Sequence, residues 1–150
     1  MAKMHRAVSG LVAVVAALVL GSSIASASEA KFDNFVVYYN VINTTFLSPE
    51  VARAYDVRRS SSRAMVNIAV MERGDDGPQA VSADVSGSAT NMNDQMRNLR
   101  FREIRDDDAI YHLSEITVRS GETLDFKIDV SPAGTDRVLP IRFSQDFYVD

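Results

Sequence analysis

The 150-residue sequence has no cysteine, no tryptophan, four prolines and two histidines. Without cysteine there is no disulfide staple, no thiol nucleophile and no lipid-attachment point of the bacterial lipoprotein kind. Zinc needs several His or Cys ligands, and a serine triad needs a histidine base, yet beyond His5 the chain offers His112 alone. No G-x-S-x-G elbow occurs. Positive charge is also short, with 16 Lys and Arg against 20 Asp and Glu. A basic footprint for nucleic acid is therefore missing, and attachment to an anionic membrane surface is disfavoured by the same sign. The acidic stretches Asp75-Asp76 and Asp106-Asp107-Asp108 lack the spacing of a calcium loop and read as solvated hairpin tips. No metal and no cofactor is expected.

What is present begins with a leader. Lys3, His5 and Arg6 precede an apolar run from Ala7 to Leu20, a break at Gly21-Ser22-Ser23 and the small-residue triplet Ala25-Ser26-Ala27. This pattern describes a secretory signal peptide over residues 1–27, cleaved after Ala27. The rival reading, an uncleaved anchor, is weakened because the run falls short of the ~20 residues a spanning helix needs. No stable membrane insertion is expected after cleavage. Residues 28–150 suffice for one domain with one core.

That domain reads as strands. In Thr123 to Ser131, Leu124, Phe126, Ile128 and Val130 alternate with Asp125, Lys127 and Asp129. Ala64, Val66, Ile68 and Val70 alternate with Met65, Asn67 and Ala69, and Leu139, Ile141 and Phe143 open a similar run. Asn34 to Ile42 alternates less, as in a strand covered on both sides near its middle. With Gln79–Ser88, Arg97–Arg105 and Ala109–Val118 the expectation is seven strands. Short connectors such as Gly74-Asp75-Asp76-Gly77-Pro78 and Ser120-Gly121-Glu122 suit hairpins, so the fold class is all-β, an antiparallel β-sandwich. One short helix is expected between strands 1 and 2, from Pro49 to Tyr55, with Ser48 as its cap and Glu50 in its first turn.

In the Arg97 strand, strict alternation after Leu99 and Phe101 puts Glu103 inside and Ile104 outside. A bulge near residues 102–103 is the favoured remedy, and burial of Glu103 against an arginine is the other. Arg58, Arg59 and Arg63 flank Ser60-Ser61-Ser62, where guanidinium forks and hydroxyls could receive an anion or could simply form a solvated loop. His112 is expected as a packed or surface histidine.

A resemblance covers the whole mature chain. Tyr38-Tyr39-Asn40, Asn43 and Thr45 to Tyr55, then Arg59-Ser60, Arg63, Ser88 to Asn91, Leu99 to Arg105, Asp108 to Tyr111, Glu122 to Leu124, Phe143, Gln145 and Phe147-Tyr148 carry it. In these runs the chain resembles an exported Gram-negative family, domain-of-unknown-function family 4426, which has no established reaction or ligand. The resemblance implies a small periplasmic domain of immunoglobulin-like character. It departs from the family pattern at Asp107, where glycine is typical, and at His112, where a second tyrosine is common. It directs attention to Asn40, Asn43, Arg59, Arg63, Asn91, Arg102 and Glu103 as ligand- or partner-binding residues.

The leading expectation is a noncatalytic accessory module that recognises an envelope protein or an extended peptide, through sheet edges and spare tyrosines. The alternative is a binder of small anions using Arg59, Arg63 and nearby asparagines. An enzyme comes last, with Glu103 and His112 as its candidates.

Overall fold

The computed structural model describes residues 27–148. The leader expected over residues 1–27 lies outside them, apart from Ala27. No helix among the described residues is long and apolar enough to cross a membrane.

The chain runs β1 (Ser28–Phe32), β2 (Phe35–Asn43), a 3-10 turn (Thr44–Phe46), helix α1 (Pro49–Ala54), β3 (Arg63–Gly74) and β4 (Gly77–Val81). It continues with β5 (Ala83–Thr90), β6 (Met96–Arg100), β7 (Arg102–Asp106), β8 (Ala109–Thr117), β9 (Glu122–Pro132) and β10 (Leu139–Phe147). All pairings are antiparallel. The larger sheet has the order β1-β2-β3-β8-β7, with β4 also paired to β3, and the smaller one has the order β10-β9-β5-β6. The all-β sandwich is as expected.

The strand count is not: ten strands form among the described residues where seven are expected. β1 escapes periodicity because it is a five-residue edge carrying Glu29 and Lys31, charges that guard an edge against foreign pairing. The other two additions have one cause. The run expected as Gln79–Ser88 breaks at Ser82, where the chain leaves β3 in the larger sheet for β9 in the smaller. The run expected as Arg97–Arg105 breaks at Phe101, where it returns from β5 to β8. The irregular alternation around Glu103 is thus a change of sheet, not a bulge. Each crossing re-aims the side chains beyond it.

Val37, Val66, Ile68, Val70 and Ile116 of the larger sheet meet Leu124, Phe126, Ile128, Val130 and Ile141 of the smaller one in the main core. A second core lies on the outer face of the larger sheet. There Met65, Ala69, Met71, Tyr111 and Leu113 are covered by Leu47, Ala52, Tyr55 and Val57 from the segment around α1. Ser48 caps α1 as expected, its Oγ accepting from the Val51 N–H at 3.1 Å, and Tyr55 closes the helix. β3 is therefore apolar on both sides, which explains why Met, Asn and Ala rather than charges fill its alternate positions.

Four aspartates, Asp33, Asp56, Asp94 and Asp107, have φ between 52° and 60°. Asp107 adopts the left-handed conformation that the glycine typical of this turn would take without strain, and aspartate tolerates it better than most residues. The β7–β8 hairpin thus survives the departure.

Candidate functional site

The two sheet changes, at Ser82 and Phe101, flank one cleft. β5 pairs with β9 from Ala83 onward but with β6 only from Ser86 onward. Ala83, Asp84 and Val85 therefore have no strand on the side that β6 vacates. A cleft of about 430 Å³ opens there, walled by Val85, Phe101, Glu103, His112 and Ser131. Its volume is within the range of small-ligand sites.

His112 is 2% exposed. Its Nδ1 lies 3.2 Å from the Ile68 carbonyl oxygen, so Nδ1 carries the proton and donates. Nε2 is left to accept from the Ala83 N–H at 3.3 Å. Glu103 stands opposite on β7, its Oε1 3.7 Å from Nε2. The Ser82 hydroxyl donates to the same Oε1, and Arg105 Nε donates to Oε2 at 3.0 Å from a largely exposed position.

These contacts set the protonation states. The Ser82 hydrogen bond, assisted by Arg105, holds Glu103 below the usual carboxylate range despite some burial. Burial pushes His112 below the ordinary imidazole value, outweighing the Ile68 carbonyl and the carboxylates of Glu103 and Asp84, while Arg105 adds to the lowering. The cleft thus presents an ionised Glu103 beside a neutral imidazole.

A pH dependence follows with a definite sign. Below about pH 6.5 the unfolded imidazole takes up a proton that the native one resists, so stability falls with acid. Glu103 adds its own loss only further down, as pH drops from its ordinary value toward its lowered one. Urea midpoints for the wild type are expected to be lower at pH 5.5 than at pH 7.5. In His112→Gln the difference is expected to shrink, and an unchanged difference would show that His112 does not supply it.

The residues singled out from sequence do not form one site. Asn43, Arg59, Arg63 and Arg102 gather around the segment that carries α1. Asn43 Oδ1 caps the 3-10 turn through the Thr45 N–H at 3.0 Å, and its Nδ2 donates to the Ser61 carbonyl at 2.8 Å. Arg59 Nε donates to the Leu47 carbonyl at 2.8 Å. Arg102 donates to the Asp56 carbonyl at 2.9 Å, and Arg63 and Arg102 share Glu115, each at 3.4 Å. Together they pin the cap to the sheet. Asn40 pairs across strands with Asn67, and the Oδ1 of each is buried with no hydrogen-bond partner among the described residues.

Asn91 organises the β5–β6 turn, its Oδ1 accepting from the N–H groups of Asn93 and Gln95. It borders a separate cleft of about 320 Å³ with Glu122 and Arg119. Burial would raise Glu122, but hydrogen bonds from Arg97, the Arg119 N–H and Asn91 leave it below the ordinary carboxylate value. Of the seven residues, Glu103 alone lines the sheet-change cleft. Ser82, Asp84, Val85 and Phe101 carry no motif that sequence could flag, since a shared wall exists only after both crossings are made.

Comparison with known proteins places the chain. A family model described as "Domain of unknown function (DUF4426)" matches residues 29–150. The crystal structure of a DUF4426 family protein from Pseudomonas aeruginosa superposes with a TM-score of 0.72 at 32% identity, over 83% of this chain and 96% of that one. FetP from uropathogenic E. coli, recombinantly expressed in the periplasm, superposes with a TM-score of 0.54 at 11% identity, over 81% and 93% of the two chains, a likeness of fold alone. No curated protein matches in sequence. The match over residues 29–150, joined to the shared structure, makes this protein a member of the DUF4426 family.

Proposed function

We propose that the protein is an exported, noncatalytic binding module of the Gram-negative periplasm that recognises an envelope partner through an extended peptide segment, received in the cleft between the sheet changes. The observation that carries this reading is the missing strand beside Ala83–Val85. Ala83 turns its N–H into the cleft toward His112. By the alternation of an antiparallel ladder, Val85 turns its N–H and C=O to the same side. A peptide lying beyond the end of β6 would pair with the Val85 N–H and the Ala83 C=O on this side, the Val85 C=O lying opposite Phe101 where the β6 ladder ends, with the walls selecting among its side chains. Export is supported by the leader pattern of residues 1–27.

The chemistry of the cleft favours binding over catalysis. The Ser82 hydroxyl donates to Glu103 and not to His112, and Nε2 of His112 is occupied by a backbone amide. The Ser82 hydroxyl is thereby paired with a carboxylate held below its ordinary pKa, a weak base, and not with the imidazole. An anion site built from Arg59, Arg63 and nearby asparagines finds less support, because Arg59 already meets the Leu47 carbonyl, Arg63 meets Glu115 and Asn43 donates to the Ser61 carbonyl.

The test is site-specific photocrosslinking in intact cells, with the probe at Phe101 and a control probe at Asp75 on the distant β3–β4 turn. A discrete adduct is expected from position 101 alone, and Val85→Pro, which removes the Val85 N–H from the cleft edge, is expected to weaken it at least fivefold. Equal adducts from both positions, or none from either, would overturn the reading.

A further inference from the structure

The cleft also specifies a charge. Its walls hold two carboxylates, Asp84 and Glu103, while no lysine or arginine lines it, and its one imidazole is kept neutral. Glu103 is not a loose surface acid. The Ser82 hydroxyl fixes Oε1 on the cleft side, and the buried edge of His112 stands behind it at 3.7 Å. Arg105 reaches Oε2 from the rim with its side chain 63% exposed, and an ion pair so open to water is weak and replaceable. Phe101 and Val85, both half-buried, supply apolar wall on the way in.

We propose, resting on the peptide reading above, that the segment received in this cleft carries a lysine-type side chain. Its stem lies along Phe101 and Val85, and its ammonium group meets Glu103 and Asp84. A long cationic side chain suits such a site because its methylenes bury against apolar wall while its head keeps polar company. An aromatic ring beside the path adds attraction for the cation. The two recognition elements are separable: the Val85 amide reads backbone, and the carboxylates read charge.

The experiment is a titration of the isotope-labelled mature domain, residues 28–150, followed by amide and side-chain NMR. The probes are three acetylated, amidated tripeptides, Ala-Lys-Ala, Ala-norleucine-Ala and Ala-Glu-Ala, taken into the millimolar range. The lysine peptide is expected to shift the Val85 amide and the Glu103 side chain and to bind at least tenfold more tightly than the norleucine peptide. Glu103→Gln, close in shape to the native residue, is expected to cut that preference to twofold or less by weakening lysine binding. Asp84→Asn serves as the second variant, with a smaller loss expected at this exposed position. Equal binding of lysine and norleucine peptides at Val85 would overturn the charge inference and leave the strand-addition reading standing. Shifts at Glu103 without Val85 would do the reverse. If no peptide perturbs either residue, both fail.

Discussion

Phe126→Ala is expected to destabilise the domain by about 3–5 kcal/mol, the range for removing a fully buried aromatic. Phe126 is 1% exposed at the centre of the inter-sheet core. Its ring stacks on Phe143 at 4.7 Å with an interplanar angle of 7°, lies 6.5 Å from Phe147, and connects through Phe143 to Tyr39 at 4.9 Å. Phe143 and Phe147 belong to β10 and Tyr39 to β2, so this ring ties the edge strand β10 of the smaller sheet to β2 of the larger. Against a typical stability of about 5–15 kcal/mol such a loss would leave the variant marginal. Urea unfolding would measure it. Phe126→Leu, which keeps most of the volume, should lose less than half as much, and equal losses would mean that the ring geometry matters less than argued.

The second large effect comes from adding atoms. Gly87 lies in the middle of β5, paired with Leu99 on one side and Ile128 on the other. A Cβ there would sit 2.5 Å from the Lys127 carbonyl oxygen and 3.0 Å from the Ile128 Cα, both backbone atoms of β9. Neither can step aside without breaking the ladder. In an unstrained site Gly→Ala gains about 0.4–1 kcal/mol by restricting the unfolded chain. Here the sign reverses, and Gly87→Ala is expected to cost about 2–3 kcal/mol, toward the upper end for overpacking, with Gly87→Val worse. The same urea series decides it. A neutral or stabilising Gly87→Ala would show that β9 relaxes where this packing says it cannot.

The fold was legible where one face of a strand is wet. Leu124, Phe126, Ile128 and Val130 alternate with charged partners, and all four are buried as their spacing requires. The leading cap was legible too, because Ser48-Pro49-Glu50 is a purely local signal. Sequence periodicity fails at Ser82 and Phe101 for a definite reason. Moving from one sheet to the other leaves the chain extended, so nothing in composition announces that the neighbours have changed. The site depends on those two residues and on contacts between positions as distant as Ser82 and Glu103 or Ile68 and His112. Glu103 drew attention only because it broke an alternation, and the break proved to mark the crossing. The arginines drew attention by crowding, which reflects their work of fastening α1 and its flanks. Resemblance supplied kinship but no chemistry, since the family has no assigned role to lend.

The double covering of β3 has a consequence for how this chain avoids mistakes. A ribbon that is oily on one side resists sliding by a single residue, because the slip would bring its charges inward. β3 lacks that safeguard over most of its length: one greasy row would merely replace another. Asn67, abreast of Asn40 on β2, restores it. Any one-step slide would carry this amide, whose Oδ1 already lacks a partner among the described residues, into the hydrocarbon between the sheets, where stranding its NH2 group as well is expensive. The asparagine pair thus acts as a notch that makes misaligned assemblies costly, and its value lies in the wrong structures it forbids as much as in the native one.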